Sequence, residues 1–222
     1  MIAMILAAGR GERLRPVTDT TPKALVEVQG TSLLERHLQA IKASGIDTVV
    51  INLGWLGEKI VDRIGSGSRY GLDVVYSPED DNVLETGGGI LRALPMLGDG
   101  PFLVINADIC TEMTLPVDAL LATDLAHLVL VPKPEHLKKG DFELDDGRVR
   151  NAAKPRLTFS GVALYWPAFF ARCTPGRFSL APMLHAAADI DRLSGSLYKG
   201  FWTDVGTPGR LAELNADVSR RR

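Results

Sequence analysis

The chain has 222 residues, a formal net charge of −2 and a hydrophobic fraction of 45%, so it can bury a sizeable core. The near balance of charge argues against a nucleic-acid binder, which carries a basic excess. Only Cys110 and Cys173 occur, without a CxxC pair, so neither a disulfide framework nor a zinc site is predicted. No apolar run approaches the ~18 residues of a membrane span. We therefore expect a soluble, cytoplasmic monomer or small homo-oligomer.

Apolar runs alternate with helix-period segments through the first part of the chain. This alternation is typical of a mostly parallel sheet with helices on both faces, and we predict an α/β fold of the doubly wound, Rossmann-like type with a mixed sheet. The predicted strands here are residues 2–8, 48–53, 72–76, 102–106 and 127–131. The predicted helices between them are residues 32–44, 54–64, 88–94 and 116–123.

The helix over residues 32–44 has the clearest signals. Ser32 and Glu35 form a capping-box signature, and Gly45 follows the last turn. His37 lies near the apolar stripe of this helix, and we interpret it as a residue on the flank of that stripe without a role in a site.

The alternation of apolar runs with helix-period segments stops after Pro132. Two short alternating runs surround Asp146-Gly147, which predicts a hairpin. A strand over 157–165, a helix over 179–188, a strand over 196–202 and a helix over 208–218 are predicted next, with residues 220–222 as a solvated tail. We predict one domain whose residues 1–132 form the main part and whose residues 133–222 form a smaller lobe and closing elements.

The stretch LAAGRGERLRP, residues 6–16, has the composition of an anion-binding loop. It only half matches the dinucleotide fingerprint G-x-G-x-x-G, because Leu14 stands at the third glycine and the second strand ends in Asn52 instead of an acid. A nicotinamide oxidoreductase is therefore disfavoured. The alternatives are a plain glycine turn with surface arginines and a loop that wraps a triphosphate, with Arg13, Arg15 and Lys23 as its cations.

Three further stretches fit phosphate chemistry. LETGGGI places three glycines ahead of a predicted helix, which indicates close approach of a ligand or else a flexible connection. Asn106 and Asp108 in INADI, and Asp204 in WTDVGTP, follow strands, where the ligand crevice of an open α/β sheet lies. A helix cap and a turn are the plainer explanations of the two aspartates. Together these pieces predict metal-assisted phosphoryl-group chemistry without a protein nucleophile.

The stretch LAAGRGERLRPVTDTTPKALVEV, with INADI and WTDVGTP, resembles the sugar-1-phosphate nucleotidyltransferases, whose pattern is L-A-A-G-x-G-x-R-[LM]-x-P followed by P-K. The resemblance implies their fold with a small sugar-binding lobe, Mg²⁺, and transfer of a nucleotidyl group from an NTP to a sugar 1-phosphate with release of pyrophosphate. ETGGG, KKGDFEL and LTFSG resemble the N-acetylmuramate-1-phosphate uridylyltransferases of bacterial cell-wall recycling. Mannose 1-phosphate with GTP, glucose 1-phosphate with UTP, and a non-catalytic nucleotide-sugar-binding protein stay as alternatives.

The resemblance also assigns residues. The catalytic set is Arg13, Lys23, Asp108 and Asp204, with Lys23 on the α-phosphate, Arg13 on the leaving pyrophosphate and both aspartates on Mg²⁺. The nucleotide would also contact Ala8, Gly9, Gly11, Glu12, Arg15, Thr86, Gly87 and Asn106. The sugar would meet Asn106, Gly140, Asp141, Ser160 and Gly161. The role of Lys154 stays open, because many hexose-specific relatives carry an acidic residue before this lysine.

Overall fold

A computed structural model describes residues 1–79 and 84–216. The strands are β1 (Ile2–Leu6), β2 (Glu27–Val28), β3 (Thr31–Ser32), β4 (Thr48–Leu53), β5 (Asp73–Pro78), β6 (Phe102–Asn106), β7 (Ile109–Thr111), β8 (Ala126–Pro132), β9 (Glu143–Asp145), β10 (Arg148–Arg150), β11 (Leu157–Tyr165), β12 (Leu193–Leu197) and β13 (Trp202–Asp204). The helices are α1 (Val17–Thr20), α2 (Leu33–Ala43), α3 (Gly57–Ile64), α4 (Glu85–Leu97), α5 (Ala181–Asp189) and α6 (Pro208–Ala216).

Nine strands form one mixed sheet in the order β5-β4-β1-β6-β11-β8-β12-β10-β9. Strands β5, β4, β1 and β6 are parallel neighbours, whereas β11 runs antiparallel to both β6 and β8. Strands β7 and β13 pair in a separate two-stranded sheet, as do β2 and β3. The predicted α/β fold with a mixed, largely parallel sheet is confirmed.

The sheet is covered on both faces. Ala3 and Ile5 of β1 point to the layer that contains the buried faces of α2 and α3, whereas Met4 points to the layer that contains α4 and α5. Both faces are therefore dry, which explains why the parallel strands are continuous apolar runs instead of alternating ones. Within residues 1–79 and 84–216, no helix combines the length and apolar character that crossing a membrane requires.

Several local predictions are confirmed. Ser32 and Glu35 form the capping box at the start of α2. Asp146 and Gly147, with φ of 45° and 74°, join β9 to β10 in the predicted hairpin, and positive φ at both positions is what a type I′ turn requires.

Other local predictions are wrong. Residues 116–123 form isolated turns with no helix, and Val117, Ala119 and Leu120 pack against the core from these turns. The predicted strand 196–202 is the end of β12 and the start of β13, separated by residues 198–201. Helix α4 begins at Glu85, so Gly87, Gly88 and Gly89 lie inside it and not ahead of it. The end of the last predicted helix and the tail 220–222 lie outside the described residues.

Candidate active site

A cleft of about 990 Å³ opens at the carboxyl ends of β1, β4 and β6. The chain runs from β1 outward to β4 and β5, then returns to place β6 on the other side of β1. Ligands bind at such a switch point in open α/β sheets. The residues that line the cleft are Leu6, Ala7, Ala8, Gly9, Arg10, Gly11, Glu12, Arg13, Lys23, Ala24, Asn52, Glu79, Leu84, Glu85, Thr86, Asn106, Ala107, Asp108, Gly176, Arg177 and Gly206.

The glycine loop after β1 has a fixed shape. The backbone N–H of Ala7 donates to Oδ1 of Asn52 at 2.6 Å, and Thr18 Oγ1 donates to the Gly11 carbonyl at 2.9 Å. Gly11 has a φ of +63°, and a Cβ there would lie 2.8 Å from Thr18 Cγ2 and 3.2 Å from Lys23 Cβ. Only glycine fits this position, because both the backbone angle and the space exclude a side chain.

The arginines of this loop take different positions. Arg13 lines the cleft and is exposed to solvent, as a residue that meets a phosphate should be. Arg10 also lines the cleft and lies 5.6 Å from the centroid of the Trp55 ring. Arg15 is outside the lining residues, and its Nε pairs with Asp19 at 3.2 Å, so the structure does not bring this predicted nucleotide contact into the cleft.

Lys23 and Asp108 meet at the centre of the cleft. Lys23 follows Pro22 and begins a short 3₁₀ turn, and its Nζ donates to Oδ2 of Asp108. The two side chains are 15% and 31% exposed, so the pair is partly shielded from water but open to a ligand. Two residues that are 85 positions apart and were predicted separately thus form one ion pair.

His37 lies behind Asp108 and not on the flank of its helix. Its residue exposure is 4%, and burial lowers the pKa of its imidazole to about 4, against the smaller opposing effects of the Ala107 and Ile109 backbone and the Asp108 charge. The ring is therefore neutral near pH 7. The flank prediction is wrong because the polypeptide after β6 packs onto this side of α2.

Asp204 is outside the cleft lining, but strand pairing brings its backbone next to that of Asp108. It ends β13 opposite Ile109 of β7, and the N–H of Val205 donates to the Asp108 carbonyl at 2.8 Å. Its Oδ1 accepts from Nη1 of Arg210 and lies 3.2 Å from Nε2 of His136. Neither Arg210 nor His136 was predicted, because each is a solvent-compatible residue in a loop or helix with no motif around it.

The two aspartates fit a magnesium ion that is completed by phosphate. Lys23 reaches only Oδ2 of Asp108, and Arg210 and His136 reach only Oδ1 of Asp204. Among the described residues, the second oxygen of each carboxylate therefore has no hydrogen-bond donor. No group of three or more His, Cys, Asp or Glu side chains that could hold a metal occurs in that part of the chain. Magnesium is commonly held by one or two carboxylates together with substrate phosphates, which matches this donor set.

The start of α4 packs against the segment 176–178. The Phe178 carbonyl accepts from the N–H groups of Gly87 and Gly88 at 3.0 and 3.2 Å, and a Cβ on Gly87 would lie 2.3 Å from the Phe178 ring. Gly87 is buried outside the cleft lining, while Thr86 lines the cleft and its Oγ1 accepts from the Leu180 N–H at 3.0 Å. The glycines serve this close packing, which is a third explanation beside a ligand and a flexible connection.

A buried hydrogen-bond chain joins this wall to the glycine loop. Asn52 Nδ2 donates to Glu79 Oε1 at 2.6 Å, and the N–H of Leu84 donates to Glu79 Oε2 at 2.9 Å. Glu79 and Asn52 are 7% and 3% exposed. A Cβ on Gly89 would lie 2.5 Å from Glu79 Oε1, so Gly89 makes room for the carboxylate. Sequence reasoning missed Glu79, which directly follows the edge strand β5.

Four predicted sugar contacts, like Lys154, lie outside the cleft lining. Gly140 is packed against the Pro155 and Leu157 carbonyls, Asp141 Oδ2 accepts from the Phe159 N–H at 2.9 Å, and Ser160 is fully buried. Gly161 has a φ of +84°, and a Cβ there would lie 2.8 Å from Asn106 Nδ2. Gly161 therefore shapes the cleft through Asn106, which does line it.

Comparison with known proteins agrees with this geometry. A family model described as nucleotidyl transferase matches residues 2–140. The chain is 47% identical over 97% of its length to the N-acetylmuramate alpha-1-phosphate uridylyltransferase of Neisseria meningitidis serogroup B, and 38% identical over 98% to the enzyme of that name from Caulobacter vibrioides, covering 97% and 96% of those proteins.

Among solved structures, a candidate glucose-1-phosphate thymidylyltransferase from Bacillus anthracis has a TM-score of 0.87 at 21% identity, with 100% of this chain and 96% of that chain covered. This likeness shows the fold. The family model spans more than half of the chain, and the two relatives match over nearly all of it. The chain therefore belongs to the nucleotidyl transferase family.

Proposed function

We propose that this protein transfers the uridylyl group of UTP to N-acetylmuramate 1-phosphate, giving UDP-N-acetylmuramate and pyrophosphate. The observation that carries this proposal is the 47% identity, over 97% of both chains, to a relative named for that activity. The ion pair of Lys23 with Asp108 in the cleft supports the chemical part of the proposal, since this pair supplies charge where a nucleotide phosphate would react. We place the reaction in the cytoplasm, where thiols such as Cys110 and Cys173 stay reduced.

The reaction is an in-line displacement at the α-phosphorus of UTP. An oxygen of the sugar phosphate forms a new bond to that phosphorus, and the bond from phosphorus to the α,β-bridging oxygen breaks, leaving its electron pair on pyrophosphate. A phosphate monoester is already largely ionised at pH 7, because its second pKa is about 6. No side chain has to remove a proton from the nucleophile.

Catalysis in this cleft consists of alignment and charge stabilisation. The backbone N–H groups of the glycine loop are suited to hold the triphosphate, and Arg13, which lines the cleft, would offset charge on the leaving group. Lys23, whose pair with Asp108 holds it in the cleft, would stabilise the charge that builds at the reacting phosphate. Asp108 and Asp204 would hold Mg²⁺, which when bound supplies Lewis-acid stabilisation of the phosphate oxygens.

A matrix of four NTPs against several sugar 1-phosphates tests the proposal, with pyrophosphate release measured in the presence and absence of Mg²⁺. We expect the highest kcat/KM for UTP with N-acetylmuramate 1-phosphate and a loss of release when Mg²⁺ is removed by a chelator. A preference for GTP with mannose 1-phosphate, or for glucose 1-phosphate, would replace the substrate assignment. Release from none of the pairs would favour a non-catalytic protein that binds a nucleotide sugar.

A further inference from the structure

The carboxylate of Asp204 is bonded to a cation, Arg210, which a metal ligand does not need. Arg210 Nη1 donates to Oδ1 of Asp204 and to its backbone carbonyl, the latter at 3.3 Å. His136 Nε2 lies 3.2 Å from the same Oδ1 and 3.0 Å from Arg210 Nη1. The side chains of Arg210 and Asp204 are only 16% and 20% exposed, so the guanidinium is largely buried beside the carboxylate.

The contacts of His136 cannot all be hydrogen bonds at once. A guanidinium nitrogen only donates, so Nε2 would have to accept from Arg210, whereas Nε2 would have to donate to reach the Asp204 carboxylate. One of the two contacts is therefore unsatisfied in any single protonation state of the ring. An additional oxyanion beside Asp204 would accept hydrogen bonds from Arg210 and His136, which now compete.

Arg210 is not itself a lining residue of the cleft, but it has an unused donor beside Gly206, which is. Its Nε and backbone N–H are both 3.4 Å from Thr207 Oγ1, and its Nη1 is used by Asp204. Its Nη2 makes no hydrogen bond within residues 1–79 and 84–216. Gly206, which lines the cleft, makes room for this group, because a Cβ there would lie 2.6 Å from Nη2 and 2.8 Å from Asp204 Oδ2.

The side chains that line the cleft carry no net charge that would attract the anionic acceptor. Four cationic and four anionic side chains line it, namely Arg10, Arg13, Lys23 and Arg177 against Glu12, Glu79, Glu85 and Asp108. The glycine loop and the Lys23 pair are committed to the triphosphate in the function proposed above. The acceptor brings its own phosphate, and N-acetylmuramate adds a lactyl carboxylate.

We propose that Arg210, held by Asp204 and Thr207 and backed by His136, recognises an oxyanion of the acceptor sugar 1-phosphate. This proposal rests on the proposed function. A planar guanidinium with a free amine on one edge suits a phosphate or carboxylate, and Asp204 keeps Oδ2 for a metal while Oδ1 holds the arginine. In this proposal Arg210 marks the part of the cleft beside Gly206 as the acceptor side.

The test separates the acceptor from the nucleotide. Pyrophosphate release is measured for Arg210→Met, Arg210→Lys and His136→Ala, with UTP and acceptor varied in turn. We expect Arg210→Met to raise the KM of the acceptor by about tenfold or more, the size of a lost charge-assisted hydrogen bond, with the KM of UTP changed less than about twofold. Arg210→Lys should restore part of the loss, since it keeps the charge and loses the fork geometry.

The exposed His136 can be replaced without harming the fold, and His136→Ala should raise the acceptor KM by a smaller factor in the same direction. Arg69→Met is the matched control, because Arg69 pairs with Glu35 at 3.7 Å outside the cleft and should leave both KM values unchanged. Each variant is also titrated calorimetrically with sugar 1-phosphate, so that a variant with no turnover still gives a binding result.

Two acceptors identify the oxyanion. An equal rise in KM for N-acetylmuramate 1-phosphate and N-acetylglucosamine 1-phosphate assigns Arg210 to the phosphate, and a rise confined to N-acetylmuramate assigns it to the lactyl carboxylate. Unchanged acceptor KM and binding in Arg210→Met, or an equal rise in the KM of UTP, would overturn the proposal. If another sugar 1-phosphate proves to be the substrate, the same comparison with that sugar still decides the role of Arg210.

Discussion

The two carboxylates of the site stand in very different surroundings. Asp108 follows β6, a central strand with five residues paired to its parallel neighbour and four to its antiparallel neighbour, and the buried His37 lies behind it. Asp204 ends β13, which pairs with β7 over three residues in a two-stranded sheet, and it is held by Arg210 and the half-exposed His136. The first carboxylate belongs to the main core, and the second is held by side chains.

This difference separates the roles of the two regions. Strand pairing and a dry core fix the position of Asp108, which Lys23 reaches from its 3₁₀ turn, and this suits the proposed chemistry at the α-phosphorus. The Asp204 region depends on a short sheet, a nine-residue helix and one loop histidine. Substitutions in the Asp204 region should be able to alter which acceptor binds while the residues around Asp108 are preserved, because few buried contacts have to be rebuilt.

Removing the core carboxylate should have the largest effect. We expect Asp108→Ala to lower kcat by about 100-fold or more, in line with the loss of a key electrostatic contact, because both a metal ligand and the partner of Lys23 disappear. Stopped-time assays of pyrophosphate release at saturating substrates measure it, with Asp62→Ala on the exposed face of α3 as the control. Turnover near that of the wild type would exclude the metal role of Asp108.

The sequence predicted the core side of this site better than the acceptor side. Strand ends could be found because apolar runs define buried strands, and Asp108 and Lys23 stand beside such strands or in a recognisable motif. Arg210 and His136 meet across 74 positions and lie on exposed segments, so no periodicity marks them. Gly140, Asp141, Ser160 and Gly161 lie outside the cleft lining, and their packing partners, such as Asn106 beside Gly161, become visible only in three dimensions.

Lys23→Met tests whether the core side serves chemistry rather than acceptor binding. We expect kcat to fall by up to about 100-fold, since a cation on the developing charge is lost, while the KM of the acceptor changes less than about threefold. Steady-state kinetics with the acceptor varied at saturating UTP give both numbers. A rise in acceptor KM as large as that expected for Arg210→Met would contradict the assignment of chemistry to the Asp108 region and acceptor binding to the Asp204 region.

The hydrogen-bond chain of Glu79 and Asn52 predicts a change in stability. In Gly89→Ala the new Cβ would lie 2.5 Å from Glu79 Oε1 and 2.9 Å from Asn52 Nδ2, so the free energy of unfolding should fall by about 1–3 kcal/mol. Urea denaturation measures it. Gly209→Ala is the matched control, because nothing lies within 4 Å of its Cβ in α6 and the change should be neutral or stabilising. Equal stability of the two variants would contradict the packing role of Gly89.

The buried His37 gives the smallest predicted effect and tests how far the core supports Asp108. Its pKa of about 4 lies below the value of 6.5 for an unperturbed histidine. The unfolded chain therefore binds more protons between these values, and stability falls as the pH drops from about 6.5 to 4, by at most about 1.4 kcal/mol per pH unit. In His37→Leu that slope should be smaller, with a remainder from His127, whose pKa is also lowered by burial.

Urea midpoints at several pH values between 4 and 7 measure this slope, and His185→Leu, at an exposed position on α5, is the control that keeps His37. An unchanged slope in His37→Leu would mean that His37 is not neutral behind Asp108 in the folded protein. A reduced slope with kcat near that of the wild type would show that the core needs an uncharged ring beneath Asp108 rather than a histidine as such.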